Sequence, residues 1–200
     1  MARLPYPDPK GFDEKTKELM GRLNRPLNIF RMMAHSPAML RGVTRFGAEI
    51  LSHQRLSPKL REIAILRTAK QSEAVYEWSQ HVPIALACGV SQSQIDALDK
   101  AGPGGEVGEK MFDPCERAVL AAVDELLLGA RLSDESLAGL RRFFDECETI
   151  ELLMAVGFYM LIARFLATTE VEIEEGGIPG SEAVNPRFTQ SRRPPPNRES

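Results

Sequence analysis

Cysteine is scarce in this chain: three in 200 residues, at positions 88, 115 and 147, with no CxxC pair. That spacing excludes a local dithiol redox centre and a zinc knuckle. Cys88, Cys115 and Cys147 are expected to be small core hydrophobes, the usual place of a free thiol. Long apolar runs are missing too. The longest, residues 152–163, falls short of the roughly 20 residues that cross a bilayer, so no membrane partner is expected. Residues 1–7 hold no apolar signal core, and a cytoplasmic location is expected. Charge of one sign is weak as well: the net charge of −3 and the lack of a basic stripe argue against a nucleic-acid partner.

Sustained apolar/polar alternation is also absent, and with it any sign of a sheet. What remains is helical spacing, which predicts an all-α protein. Helices are expected at about 12–22, 27–34, 37–53, 58–71, 73–88, 92–100, 114–129, 134–145 and 147–168, with ends uncertain by ~2–4 residues. Their starts are marked chemically. Ser36, Ser57 and Asp113 each precede a proline, a cap followed by a residue already set for the first turn. Asp113 with Glu116, and Ser91 with Gln94, have capping-box spacing. Ser133 precedes Asp134 and Glu135, acids favoured by the helix dipole.

Residues 102–105, Gly-Pro-Gly-Gly, separate two helical halves of one domain spanning 12–175. Residues 1–11 hold three prolines and should run extended. Residues 176–200 have little to bury and are expected to be disordered or extended, with 178–188 as a possible arm anchored by Val184 and Phe188. Glu170, Glu172, Glu174 and Glu175 read as a solvated acidic run, and His35 and His53 as capping or surface residues.

The chemistry concentrates between residues 61 and 81. Glu77 and His81 stand four apart, on one face of a helix. A carboxylate beside an imidazole, with a second carboxylate from Glu62, makes a candidate proton-transfer site. Glu77 is expected to hold His81 in one tautomer. If Glu62 and Glu77 share a dry pocket, one of them should resist ionisation. Arg67 could bind a substrate carboxylate in bidentate fashion or pair with an acid elsewhere. Tyr76 and Trp78, the only tryptophan, are expected to wall the pocket. Pro83 either bends the helix beside His81 or marks a later helix start. Two carboxylates and one imidazole can form a facial metal set. No HxH or HxxxH pair accompanies them, so neither a metal nor another cofactor is expected.

The segment 56–98, from Leu-Ser-Pro-Lys-Leu-Arg-Glu-Ile-Ala through Tyr-Glu-Trp-Ser-Gln-His-Val-Pro, resembles the carboxymuconolactone decarboxylase family. That family also contains alkylhydroperoxidase proteins of the AhpD type. The resemblance implies an AhpD-like helical bundle that assembles as a homo-oligomer (dimer, trimer or hexamer). It also implies acid/base catalysis by Glu62, Glu77 and His81 on a small cyclic acid, by decarboxylation or lactone turnover. The peroxidase branch uses a CxxC pair, and Ala74 and Glu77 occupy those two positions here. The hydroperoxide-reductase alternative is therefore disfavoured. A non-catalytic helical oligomer that binds a small ligand is the other alternative.

Overall fold

In the computed structural model, residues 1–23 and 27–174 are described, and among them every regular element is a helix. A 3-10 turn at Pro9–Gly11 leads into α1 (Glu14–Arg22), α2 (Asn28–Met33), α3 (Pro37–Ser52), α4 (Pro58–Gln71) and α5 (Val75–Ala87). After α6 (Gln92–Ala101) come a second 3-10 turn, α7 (Pro114–Leu128), α8 (Asp134–Leu140) and α9 (Glu146–Thr169).

Local chemistry explains the starts. Both capping boxes form, Ser91 with Gln94 and Asp113 with Glu116, each satisfying two backbone donors reciprocally. A third, Asp145 with Glu148, opens α9. It also explains why α8 stops at Leu140 rather than running to 145: Asp145 is extended, and its side chain caps the next helix instead. Pro37 and Pro58 do begin their helices, although Ser36 and Ser57 make no side-chain cap bond.

Helix α4 lies at the centre. Every residue from Arg61 to Ala69 is buried, and α5, α7 and α9 all pack against it. One core gathers Ile63, Leu66, Val119, Val123, Leu140 and Leu152. A second gathers Met32, Leu40, Ile50, Ile65, Phe158 and Ile162, so α9 serves both. A helix buried all round can hold charged groups only if each is paired and hydrogen-bonded. Arg61, Glu62 and Arg67 are therefore under strong constraint.

Helix α9 is long and apolar enough to cross a bilayer by length and composition, which the shorter uninterrupted run did not suggest. Its residues Leu152, Val156, Tyr159, Ile162 and Leu166 pack into the two cores, as in a central helix of a globular bundle.

The acidic segment after α9 is not a solvated run throughout. Glu172 accepts from the Ala2 backbone N–H (2.8 Å) and from the Tyr6 hydroxyl (2.9 Å). Glu174 accepts from Asn28 N–H, from the Tyr76 hydroxyl and from Gln80 Nε2, tying the start of α2 to α5. Glu170 caps α9 in the left-handed conformation (φ 49°). Glu175 and the 178–188 arm lie outside the described residues. Cys115 is half-buried against the first core, whereas Cys88 is half-buried beside Arg61 and Cys147 is exposed, so the expectation of core hydrophobes holds only in part.

Candidate active site

Two helices bring the site together. Glu62 leaves the first half of α4, and His81 leaves the middle of α5, which starts after a tight connection. In it Glu73 takes a left-handed conformation (φ 52°) and Ala74 N–H bonds the Ala69 carbonyl. Pro83 lies inside α5, so the helix does not start late. Its missing N–H leaves the Ser79 carbonyl without its usual helical partner.

Glu62 Oε2 lies 2.8 Å from His81 Nδ1, and Glu62 Oε1 accepts from Arg61 Nε at the same distance. Arg61 is fixed in turn: Nη1 donates to the Leu51 carbonyl (3.0 Å), and Nη2 reaches Cys88 Sγ (3.7 Å). Burial alone would raise the Glu62 carboxyl. The charge and hydrogen bond of His81, then those of Arg61, outweigh it and hold the group below the usual carboxylate range. An ionised Glu62 is an acceptor only, so Nδ1 must carry the proton of this bond. That leaves Nε2 as the nitrogen free to exchange a proton with a bound molecule. The edge of the Tyr159 ring pair sets the imidazole plane, with centroids 4.8 Å apart at 88°.

Glu62, then, holds the imidazole, and the expectation that Glu77 does so is overturned. Glu77 is buried one turn before His81, and neither of its carboxyl oxygens has a hydrogen-bond partner among the described residues. Burial pushes its carboxyl well above the usual range, so it is the unionised member of the two acids. The reason lies in what accompanies each acid. Glu62 comes with Arg61 at its side, whereas among the described residues burial alone acts on Glu77. Tyr159 joins the cluster: burial, then the charge of Glu62, raise its hydroxyl well above the ordinary tyrosine range.

The residues expected to bind substrate are placed elsewhere. Arg67 faces α7, where Nε and Nη2 grip Asp124 (2.7 and 3.0 Å) and Nη2 also donates to the Gly105 carbonyl (2.6 Å). It borders a cleft of about 450 Å³ with Gln71, Leu127 and Arg164, which includes neither Glu62 nor His81. Five residues along a helix turn a side chain well away from the first, and an acid on a neighbouring helix claims it. The Tyr76 hydroxyl is engaged by Glu174 and by Ile29 N–H. Trp78 packs on Ala69, Ala74 and Ala163 with Lys70 Nζ 5.2 Å above its ring. Arg61 and Tyr159 were missed as site residues. Tyr159 sits in an apolar run of α9 with no local signal, whereas Arg61 adjoins Glu62 and a buried acid needs such a partner.

Asp124→Ala should strand the buried Arg67 guanidinium and destabilise the fold by about 2–3 kcal/mol in urea denaturation. Turnover per folded molecule should stay unchanged. A loss of turnover at full stability would return Arg67 to the active site.

The described fold is an all-helical bundle of the AhpD type, with an acid–imidazole pair at the junction of two helices. It is similar over nearly its whole length to a protein from Ralstonia eutropha JMP134 described as an alkylhydroperoxidase AhpD core and uncharacterized peroxidase-related protein. The two share 16% identity at a TM-score of 0.72, over 97% of this chain and 98% of that one. A peroxidase-related protein from Silicibacter sp. TM1040 superposes at 0.73, with 16% identity over 90% and 94% of the two chains. A variant of the debrominase Bmp8, in complex with 2,3,4-tribromopyrrole, does so at 0.68, with 16% identity over 88% and 95%. At such identities the likeness is one of fold. No curated protein matches the chain significantly. Residues 37–107 match the profile described as "Carboxymuconolactone decarboxylase family". That segment carries Arg61, Glu62, Glu77 and His81, so the likeness to this family lies in the part of the chain that holds the candidate site.

Proposed function

We propose that the protein is a cytoplasmic, cofactor-independent acid/base enzyme acting on a small cyclic acid, by decarboxylation or lactone turnover. His81 is its general acid/base. The observation that carries this reading is the buried Arg61–Glu62–His81 chain of hydrogen bonds, which fixes one tautomer and leaves Nε2 available. A carboxylate on Nδ1 fixes the ring's orientation and faces the imidazolium formed when Nε2 takes a proton. The hydroperoxide-reductase alternative is not favoured. Both CxxC positions lack cysteine, and burial, with the charge of Glu62, pushes the Cys88 thiol up to about 12. At neutral pH Cys88 is a thiol, a poor nucleophile.

The test is turnover of cyclic carboxylactones and related ring acids by the parent and by His81→Ala. The variant should lose about two orders of magnitude or more in rate. Equal rates would reject His81 as the acid/base, and binding without turnover by the parent would favour the non-catalytic alternative.

The same proposal includes assembly as a homo-oligomer through α3 and α9. Ile150, Met154 and Leu161 stand about half-exposed on α9, beside a shallow apolar cleft of about 260 Å³ that reaches Val43 and Phe46 on α3. An apolar face of this kind is a cost to a monomer in water and a natural self-complementary surface. Leu161→Glu should shift the protein from an oligomeric to a monomeric mass in size-exclusion chromatography with light scattering. An unchanged mass would place the interface elsewhere.

A further inference from the structure

The cleft of about 450 Å³ between the ends of α4 and α7 and the second half of α9 shares no residue with the acid–imidazole pair. Its wall is fixed from within. The buried Arg67 guanidinium grips Asp124 and donates to the Gly105 carbonyl. Gln71 donates to Asp124 (2.6 Å) and accepts from the Gly104 N–H (2.6 Å), tying α4, α7 and the glycine loop together. A Cβ on Gly105 would lie 1.7 Å from the Ala101 carbonyl oxygen, so the loop can close on the end of α6 only with glycine there. Charge in this wall is balanced, because Asp124 meets Arg67.

The groups facing the opening are not spent. Arg164 makes one hydrogen bond among the described residues, from Nη1 to the Met160 carbonyl of its own helix (2.9 Å). The Nε–Nη2 edge of its guanidinium is therefore unused. The half-buried Ser72, where α4 ends, brings a hydroxyl with no partner among the described residues. Leu127, Ala163 and Ala167 add apolar surface, and Leu128, 93% exposed, leaves that surface open to water.

We propose that this cleft is a ligand site, separate from the candidate active site, for a small monocarboxylate with an apolar body. The carboxylate accepts both hydrogen bonds of the Arg164 edge, a planar fork that matches its two oxygens. Ser72 supplies a further donor. The hydrocarbon body covers Leu127, Leu128 and Ala167 and takes apolar area out of water. The volume lies in the range of small-molecule sites. An anion is selected over a cation because Asp124 already accepts from three N–H groups. A second carboxylate on the ligand meets repulsion from Glu106, on the loop that lines the cleft. The site stands whether or not His81 is a general acid/base, since binding here uses neither His81 nor Glu62.

Trp78 provides the signal: it is the only tryptophan and packs on Ala163, a residue of the cleft. Isocaproate added to the full chain should change its fluorescence saturably, with a millimolar or tighter dissociation constant by isothermal titration. Amide shifts in NMR should centre on Ser72, Leu128 and Ala167. Arg164→Met should weaken binding about tenfold or more, the scale of a lost hydrogen bond to a charged group. Arg164→Lys keeps the charge without the fork and should recover only part of that loss. Arg164 is exposed, so both variants should melt with the parent. Arg45→Met, which removes an exposed cation on α3, should bind as the parent does, and so should His81→Ala. Equal binding by Arg164→Met and the parent overturns the proposal. So does an equal loss in Arg45→Met, a loss in His81→Ala, or no saturable binding by the parent. Tighter binding of isoamylammonium or of adipate than of isocaproate, or shifts gathered at His81 instead, overturns it as well.

Discussion

Glu62→Ala is expected to cost the fold about 3–5 kcal/mol, the range seen when one partner of a buried ion pair is removed. Arg61 is 2% exposed and Glu62 fully buried, so the variant keeps a guanidinium in the interior without its anion. The Leu51 carbonyl still accepts from Arg61, but a neutral carbonyl does not replace a carboxylate at 2.8 Å. His81 loses its Nδ1 acceptor at the same time. Urea denaturation at pH 7 measures the difference, and a loss below about 1 kcal/mol would mean that Arg61 is neutralised by another group. The pH dependence has a definite sign. The Glu62 carboxyl is held below its ordinary range, so it contributes stability above about pH 4.3, its usual unfolded value. That contribution is lost as the pH falls through the folded value below it. The deficit of Glu62→Ala relative to the parent should therefore shrink in acid.

The helices were legible because their signals are local: a cap, a proline, a three- or four-residue period. Asp113 with Glu116 and Ser91 with Gln94 can be read from the letters alone, since both partners of each box lie within one turn. The segment bearing Glu62, Glu77 and His81 was legible for the same reason. Which acid meets the imidazole was not. Glu77 is four residues from His81 and Glu62 is nineteen, yet the packing of α4 on α5 gives the bond to Glu62. Tyr159 on α9, Asp124 on α7 and Glu174 after α9 each redirect a residue of the 61–81 stretch from far along the chain. Spacing within one helix says which side chains share a face. It does not say what that face meets, and here the meeting decides which carboxyl is ionised.

Glu77→Met is expected to do the reverse of Glu62→Ala and stabilise the protein. At low pH the gain is that of removing an unpartnered buried polar group, about 1–3 kcal/mol. It should then grow with pH. An acid whose folded value is raised binds its proton more tightly in the native state. Between the unfolded value of about 4.3 and the raised one, the unfolded chain holds fewer protons, and parent stability falls as pH rises. One such proton changes stability by at most about 1.4 kcal/mol per pH unit. Glu77→Met has no such loss, so its advantage in melting temperature should widen from pH 5 to pH 7. Tyr159 and Glu62 face the same cluster, but the ionised Glu62 has already titrated over this range and cannot mimic the trend. A flat difference, or a destabilised variant, would mean that Glu77 is ionised and partnered. If instead the protein gains stability on losing this acid, the group is kept for something other than folding.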